Sequence, residues 1–150
     1  MTDQQLLDAM LRQARSHGDF QDKPVPDSLL REAHELMKWG PTSANCQPAR
    51  IVYLRSRESR EKLRPALSAT NLEKTMKAPL TALLAYDLRF WEHLPRMFHL
   101  PDAINWFRDK GAHTETTAFR NATLQGGYYL LALRAVGLDC GAMSGFDNAK

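Results

Sequence analysis

The chain has 150 residues, of which 43% are hydrophobic and 25% are charged, and its net charge is +3. This length is enough for a single domain over residues 1–150 that buries about 70% of its unfolded surface, and the composition is ordinary for a globular protein. The spacing of the two cysteines excludes a metal-ligand pair and a disulfide framework, so we expect no metal. The polar N-terminus excludes a signal peptide, and the short apolar runs exclude a membrane span. We therefore expect a cytoplasmic protein.

Two helices are predicted in the first forty residues. Residues 3–16 have leucine and methionine at helical spacing on one face. A second helix starts at Pro26-Asp27-Ser28, and its apolar positions repeat at intervals of three and four residues. It ends at Gly40-Pro41, because proline cannot continue a helix and restrains the residue before it.

Strands and short helices are predicted in the middle of the chain. A strand is expected at about 51–55, followed by a charged helix from Ser56 that Pro65 closes or kinks. Another short helix covers 71–76. The nearly continuous apolar run 80–86 is typical of a central strand that is covered on both faces.

Residues 88–112 are rich in aromatic side chains and are interrupted by Pro95 and Pro101. We expect a mobile insertion with short helices. Its aromatic residues either line a pocket or anchor the segment, and anchoring is favoured; they are Trp91, Phe98, Trp106 and Phe107.

One long helix is predicted from Thr114 to Val136. It is apolar on most sides, which indicates deep burial. The pair Gly126-Gly127 in its middle costs about 1 kcal/mol per glycine relative to alanine, which predicts the close approach of a second backbone, from this chain or a partner subunit. Arg120 and Asn121 either bridge subunits or bond polar groups within this helix. Helices that alternate with few strands indicate an α+β or α/β fold with a helical majority.

The basic side chains between positions 50 and 64 do not predict a nucleic-acid partner. Six of them lie in this stretch, but Glu58 and Glu61 are interleaved with them. No aromatic platform or nucleic-acid motif accompanies the cluster. A solvated helix face is the favoured interpretation.

Hydroxyl and amide side chains are concentrated in the loop 39–50, just before the first strand. Polar loops on a rigid scaffold are where binding sites concentrate, although a well-made turn explains the composition equally well. Cys46 in this loop is interpreted as a small buried thiol rather than a redox centre.

Motifs for several kinds of chemistry are absent from the sequence. It has no G-x-G-x-x-G, no P-loop, no zinc-ligand pair and no G-x-S-x-G elbow, and its five histidines are scattered. Any chemistry is therefore most simply assigned to a bound organic cofactor.

Four segments, in order, resemble those of the FMN-dependent nitroreductase family. The loop 40–48 resembles its P-[ST]-S-x-N-x-Q-P motif, and residues 14–20 resemble its R-x-S-x-[RK]-x-F element. Residues 71–74 resemble N-x-x-K, and 143–147 resemble E-G-F-D. The residues of segments 37–46, 63–68 and 143–147 resemble those of one branch of the family, the malonic semialdehyde reductases (3-hydroxypropanoate dehydrogenases). The resemblance covers essentially the whole chain.

The resemblance implies an α+β fold, with helices around a central, mostly antiparallel sheet, and a homodimer that binds two FMN molecules at its subunit interface. It also implies that the 88–112 insertion lies over the active site. The cofactor-binding residues that it implies are Arg15 and Ser16 at the phosphate, Thr42, Ser43 and Asn45 over the isoalloxazine, Asn71 at the pyrimidine edge, Lys74 near N1/O2, and Ser144 and Gly145 near N5.

The implied reaction is a ping-pong hydride transfer through flavin N5, from NADH or NADPH to a small aldehyde, with no catalytic side chain. For malonic semialdehyde the product is 3-hydroxypropanoate. The alternatives are a broad nitro or quinone reductase and a non-catalytic flavin-binding dimer module. No membrane or nucleic-acid partner is expected.

The sequence departs from the family pattern at three places. Gly18 stands where a second basic residue is usual, and Ser144 replaces the common glutamate. The family also usually continues for about forty to fifty residues after Asp147, with a further strand and an arm that reaches the partner subunit. We therefore expect the sheet to lack that strand, and the hypothesis is that this 150-residue form binds FMN weakly or associates abnormally.

Overall fold

Short helices, one long helix and a small sheet make up the fold that the computed structural model describes for residues 2–150. The helices are α1 (Asp3–Leu7), α2 (Asp27–Met37), α3 (Arg57–Glu61), α4 (Ala69–Lys77), α5 (Leu94–Met97), α6 (Ile104–Phe107) and α7 (Ala112–Ala135). Strands β1 (Ala49–Leu54) and β2 (Thr81–Tyr86) pair as an antiparallel sheet, which has two strands within the described residues. The α+β class is confirmed.

Contacts divide the chain into two units. The first contains the residues up to Glu32 together with Tyr53–Leu83 and Leu133–Lys150, and the second contains Ala33–Val52 and Leu84–Ala132. The single domain over 1–150 stays a prediction.

In the first unit, the N-terminal helix is shorter than predicted. A capping box formed by Thr2 and Gln5 starts α1, which continues into a π-helical turn over Asp8–Arg12. Residues 14–16 are irregular, so the predicted end at 16 is wrong. The backbone leaves the helix here because His17 N–H donates to the carbonyl of Cys140 at 3.1 Å, a tertiary bond that competes with the helical pattern.

Two short helices of this unit follow the sequence closely. The hydroxyl of Ser56 accepts from Ser59 N–H at 3.0 Å and begins α3. Pro65 lies in a 3₁₀ turn over Arg64–Ala66, after α3 has ended. Helix α4 includes the predicted 71–76 and extends it at both ends.

In the second unit, the aromatic segment is packed rather than open. Phe90, Leu94 and Phe107 form a buried cluster with Cys46 and with two alanines. Trp91 and Phe98 pack against this cluster, whereas Trp106 is half exposed. Anchoring is therefore confirmed for three of the four predicted aromatic residues, and the mobility of 88–112 stays a prediction.

Strand β2 is not covered on both faces within the single chain. Leu84 is 45% exposed, and Tyr86 is also exposed. Among the described residues β2 has β1 as its strand partner. The prediction of a central strand is wrong here, because an apolar run identifies a strand but not how many elements cover it.

Helix α7 is less buried than predicted. Phe119 on its surface is 57% exposed, and Leu124 is also exposed. A Cβ on Gly126 would lie 2.5 Å from Leu84 Cδ2, so this glycine makes room for a side chain rather than for a second backbone. A Cβ on Gly127 meets nothing within 4 Å among residues 2–150. The approach of a partner's backbone there stays a prediction.

None of the helices described in residues 2–150 has the length and apolar character needed to cross a bilayer.

Candidate functional site

The turn at Ser144–Gly145 packs tightly against the start of α4. Asn71 is only 8% exposed, and its Nδ2–H donates to the carbonyl of Gly145 at 3.0 Å. A Cβ on Gly145 would lie 2.7 Å from Asn71 Nδ2 and 2.8 Å from Ser68 Oγ. Only glycine fits there without displacing its neighbours. The structure thus brings together Asn71 and Gly145, two of the predicted site residues.

Backbone pairing fixes this turn in place. Ser68 N–H donates to Gly145 O at 3.0 Å, and Asp147 N–H donates to Ala66 O at 2.8 Å. Thr75, almost fully buried, donates its hydroxyl to the carbonyl of Asn71 at 2.8 Å. The side chain of Asn71 is therefore fixed by its bond to Gly145, and its backbone carbonyl by the bond from Thr75.

Lys74 lies on the same side of α4 as Asn71, since residues three apart are neighbours on a helix. It is half-buried, and no ion pair or hydrogen bond of its ammonium is found among the described residues. Lys77, one turn on, pairs with Glu73 at 2.6 Å, which lowers the pKa of Glu73 and raises the pKa of Lys77. Of the two, Lys74 is the cation available to an anionic ligand.

Arg15 and Ser16 lie in the irregular segment after the π-helical turn, and both are exposed. Arg15 Nη1 donates to the carbonyls of Arg12 at 3.1 Å and Ala14 at 2.8 Å. The next residue, His17, is bonded to Cys140, and a Cβ on Gly141 would lie only 2.2 Å from His17 O. The segment 138–147 therefore contacts both the Arg15–Ser16 region and α4.

A cavity of about 220 Å³ lies beside this region, between the N-terminal segment and the end of α7. Its walls include Ala14, His17, Arg134 and Asp139, and none of the predicted site residues lines it. His17 Nε2 lies 3.6 Å from an Asp139 oxygen across it. The cavity is therefore not the predicted site.

The predicted residues of the second unit, Thr42, Ser43 and Asn45, lie in one tight turn. Thr42 Oγ1 accepts from Gln47 N–H at 3.2 Å. Asn45 Oδ1 accepts from Gln47 Nε2–H at 2.7 Å, and Asn45 Nδ2–H donates to Met97 O at 2.8 Å. The amide of Asn45 is thus engaged at both ends. The Ser43 hydroxyl is exposed and has no partner among residues 2–150.

This turn has an unusual backbone. Ala44, Asn45 and Gln47 have φ values of 49°, 50° and 37°, in the left-handed region that non-glycine residues rarely adopt. Such conformations cost about 1–2 kcal/mol per residue and persist only where the surroundings impose them.

Three residues of α7 hold this turn, and the sequence reasoning missed two of them. Asn121 Oδ1 accepts from Ser43 N–H at 2.8 Å, and Gln125 Oε1 accepts from Ala49 N–H at 2.9 Å. Tyr128 OH donates to Pro41 O at 3.1 Å. Asn121 Nδ2–H also donates to Thr117 O at 2.9 Å, so it does bond a polar group within the helix. The signal in the sequence was the pair of amides four residues apart in a largely apolar helix.

Cys46 is 1% exposed inside the aromatic cluster. Burial raises the pKa of its thiol to about 11, so the thiol is neutral and unreactive at neutral pH. The interpretation as a small buried thiol is confirmed. Within the described part of the chain, no group of histidine, cysteine and carboxylate side chains is arranged to hold a metal ion.

Comparison with known proteins shows which family the chain resembles. The model of the nitroreductase family matches residues 11–150. A Cupriavidus pinatubonensis protein with the assigned name NADH dehydrogenase/NAD(P)H nitroreductase is 56% identical over 151 residues, covering 99% of this chain and 77% of that protein. A protein of the same assigned name from Burkholderia lata is 55% identical over 144 residues, covering 96% of this chain and 74% of that protein.

The fold also agrees with solved structures. A nitroreductase from Exiguobacterium sibiricum, solved in complex with FMN, matches with a TM-score of 0.85 at 16% identity, covering 99% of this chain and 78% of that one. The nitroreductase-like fold expected from the sequence is confirmed. Since the family model spans nearly the whole chain and the two relatives are more than half identical to it, the chain belongs to the nitroreductase family.

Proposed function

We propose that the chain is an FMN-dependent NAD(P)H oxidoreductase that reduces a small aldehyde, with malonic semialdehyde as the substrate and 3-hydroxypropanoate as the product. The observation that carries the proposal is the buried side chain of Asn71, which is bonded to the turn at Gly145. Lys74, a cation with no ionic partner among the described residues, lies on the same side of α4. Amide groups beside a free cation suit a flat, polar ring that becomes anionic on reduction.

The residues of this site fit a flavin on chemical grounds. Asn71 uses its Nδ2–H on Gly145, and its Oδ1 has no hydrogen-bond partner among the described residues. That oxygen is an acceptor for the ring N–H of the pyrimidine edge. The missing Cβ of Gly145 lets the turn pack directly on Asn71 and Ser68, which brings the backbone beside Ser144 close to α4. Lys74 supplies positive charge for the reduced ring.

FMN, when bound, supplies the hydride relay at N5 between NAD(P)H and the second substrate. The chain's own residues bind and orient: Asn71 holds the ring edge, and Lys74 stabilises the negative charge that reduction creates. No side chain acts as a nucleophile. We assign Arg15 and Ser16 to the FMN phosphate, because a guanidinium and a hydroxyl are suitable donors to phosphate oxygens.

Thr42, Ser43 and Asn45 are assigned to contacts with the isoalloxazine. Because the Asn45 amide is engaged by Gln47 and Met97, the groups left for a ligand are the Ser43 hydroxyl and the backbone of the turn. The segment 88–112 is proposed to lie over the active site, where its motion would admit substrates.

The substrate assignment rests on the amino-acid sequence of segments 37–46, 63–68 and 143–147, which resembles that of the malonic semialdehyde reductase branch. A nitro or quinone reductase is the second candidate, and the assigned names of the Cupriavidus and Burkholderia relatives favour it. The two functions differ in the acceptor, whereas the cofactor and donor are shared.

The test begins with the visible spectrum of the purified protein after FMN is added and the excess removed. Retained oxidised-flavin bands, with one FMN per chain, support the cofactor assignment, and a colourless protein contradicts it. Turnover of malonic semialdehyde, a nitroarene and a quinone is then compared with NADH and with NADPH. A higher kcat/KM for the aldehyde supports the proposal, and a higher value for the nitroarene or quinone replaces it with the second candidate. Flavin binding without turnover of any acceptor indicates a non-catalytic module.

A further inference from the structure

We infer that Asn121, Gln125 and Tyr128 are positioning residues for the turn 41–49, and that α7 thereby presets this turn for the flavin. The inference rests on the proposed function, because it concerns the turn that is proposed there to contact FMN. None of the three residues is among the proposed cofactor contacts.

The three side chains form one stripe along α7. Their spacing of four and three residues places them on the same face of the helix. Each bonds a backbone group rather than a side chain: Ser43 N–H, Ala49 N–H and Pro41 O. The stripe therefore fixes the path of the main chain at the start, in the middle and at the end of the turn.

The stripe is buried and closely packed where it meets the turn. Gln125 is almost fully buried and Asn121 is buried. A Cβ on Gly40 would lie 2.1 Å from Tyr128 Cδ2, so the tyrosine ring lies directly against the backbone that enters the turn. A buried acceptor left without its N–H donor is costly, so the two amides resist any change of the turn.

The conformation that is held is one the turn would not adopt alone. Ala44, Asn45 and Gln47 all have left-handed φ values, and none is a glycine. Ser43, the residue with the exposed and unpartnered hydroxyl, comes just before them and is bonded to Asn121 through its N–H. The hydrogen bonds of the stripe thus offset the backbone strain of the turn. They also fix the position of Ser43, whose hydroxyl has no partner among the described residues. Preformed geometry of this kind raises affinity by removing the ordering cost at binding.

Tyr128→Phe and Asn121→Leu each remove one anchor and keep the size of the side chain. Thr123→Val is the matched control, because the bond that the Thr123 hydroxyl makes among the described residues is to the carbonyl of Phe119 on the same helix. Tyr128→Phe changes a single exposed hydroxyl and keeps the inference testable if Asn121→Leu fails to fold.

The first measurement is amide hydrogen exchange of the flavin-free protein. We expect exchange at Ser43 and its neighbours to be about fivefold faster in Asn121→Leu than in the wild type, which corresponds to one lost hydrogen bond. Thr123→Val should stay near the wild-type rate. Unchanged exchange in both anchor variants overturns the inference.

The second measurement is FMN titration, followed by the visible circular dichroism of the bound flavin. We expect about fivefold weaker binding in each anchor variant and a changed flavin spectrum, and neither change in Thr123→Val. Faster loop exchange with unchanged FMN affinity and spectrum overturns the inference and leaves the proposed function standing. A wild-type protein that binds no FMN overturns the proposed function, and the inference with it.

Discussion

Lys74 and Lys77 lie one turn apart on α4 and have different surroundings. Lys77 is exposed and paired with Glu73, whereas the half-buried Lys74 has no ionic partner among the described residues. A lone, partly desolvated cation interacts more strongly with a ligand charge than a screened surface pair does. The difference makes the two lysines a natural variant and control.

We predict that Lys74→Met lowers the midpoint reduction potential of bound FMN by about 30 mV, which equals about 1.4 kcal/mol for two electrons. The reason is that the variant loses the charge that stabilises the reduced, anionic ring. The measurement is equilibration of the flavoprotein with a dye of known potential. Lys77→Met should leave the potential unchanged, and equal shifts in both variants would contradict the role given to Lys74.

At the scale of elements, the segment 138–147 connects parts of the first unit that are distant in sequence. At one end the carbonyl of Cys140 accepts from His17 N–H, and at the other Gly145 packs on Asn71 and Ser68. An isolated bridge between Leu67 and Phe146 adds strand-like pairing. The fit leaves no room for a larger residue at position 145.

Gly145→Ala is expected to reduce the free energy of unfolding by about 1–3 kcal/mol, because the new methyl group overlaps Asn71 Nδ2 and Ser68 Oγ. Urea unfolding of the flavin-free protein measures this directly. Gly18→Ala is the matched control, since a Cβ there meets none of the described residues within 4 Å, and its effect should stay within about 0.5 kcal/mol. A Gly145→Ala protein as stable as the wild type would show that the turn relaxes freely.

For the whole molecule, the family resemblance predicts a homodimer with two flavins. The single chain exposes apolar side chains that a partner would cover; in the second unit these include Leu84, Tyr86, Phe119 and Leu124. The rings of Tyr86 and Phe119 are in edge contact, with centroids 6.0 Å apart. Contiguous exposed apolar surface of this kind is typical of an interaction site.

We predict that the protein sediments at twice the 17.0 kDa mass of one chain and that Phe119→Glu shifts it toward the monomer and weakens FMN binding. A charge buried in an apolar interface without a partner is strongly unfavourable. Analytical ultracentrifugation with flavin absorbance reports both effects together. Gln21→Glu, an exposed change of the same charge, should have no effect. A wild-type chain that stays monomeric at every concentration, with FMN bound, would contradict the prediction.

The sequence alone was enough to predict where an element begins or ends when neighbouring residues determine that boundary. Gly40-Pro41 indicated the end of α2, which the structure places at Met37, and Ser56 indicated the start of α3. The order of the short motifs indicated the family, and it named Asn71 and Gly145 as neighbours of one ligand before their contact was seen. A short motif can be recognised from neighbouring residues alone, so this part of the prediction did not need the fold.

The tertiary structure alone decided which surfaces are covered and what holds the strained turn. The apolar run of β2 predicted full burial, but Leu84 is exposed because burial depends on elements that are distant in sequence. Gly126 was expected to face a backbone and instead faces Leu84. The bonds from Asn121 and Gln125 to the turn join residues more than seventy positions apart. Periodicity records which side of an element is apolar, whereas only the folded chain determines what that side meets.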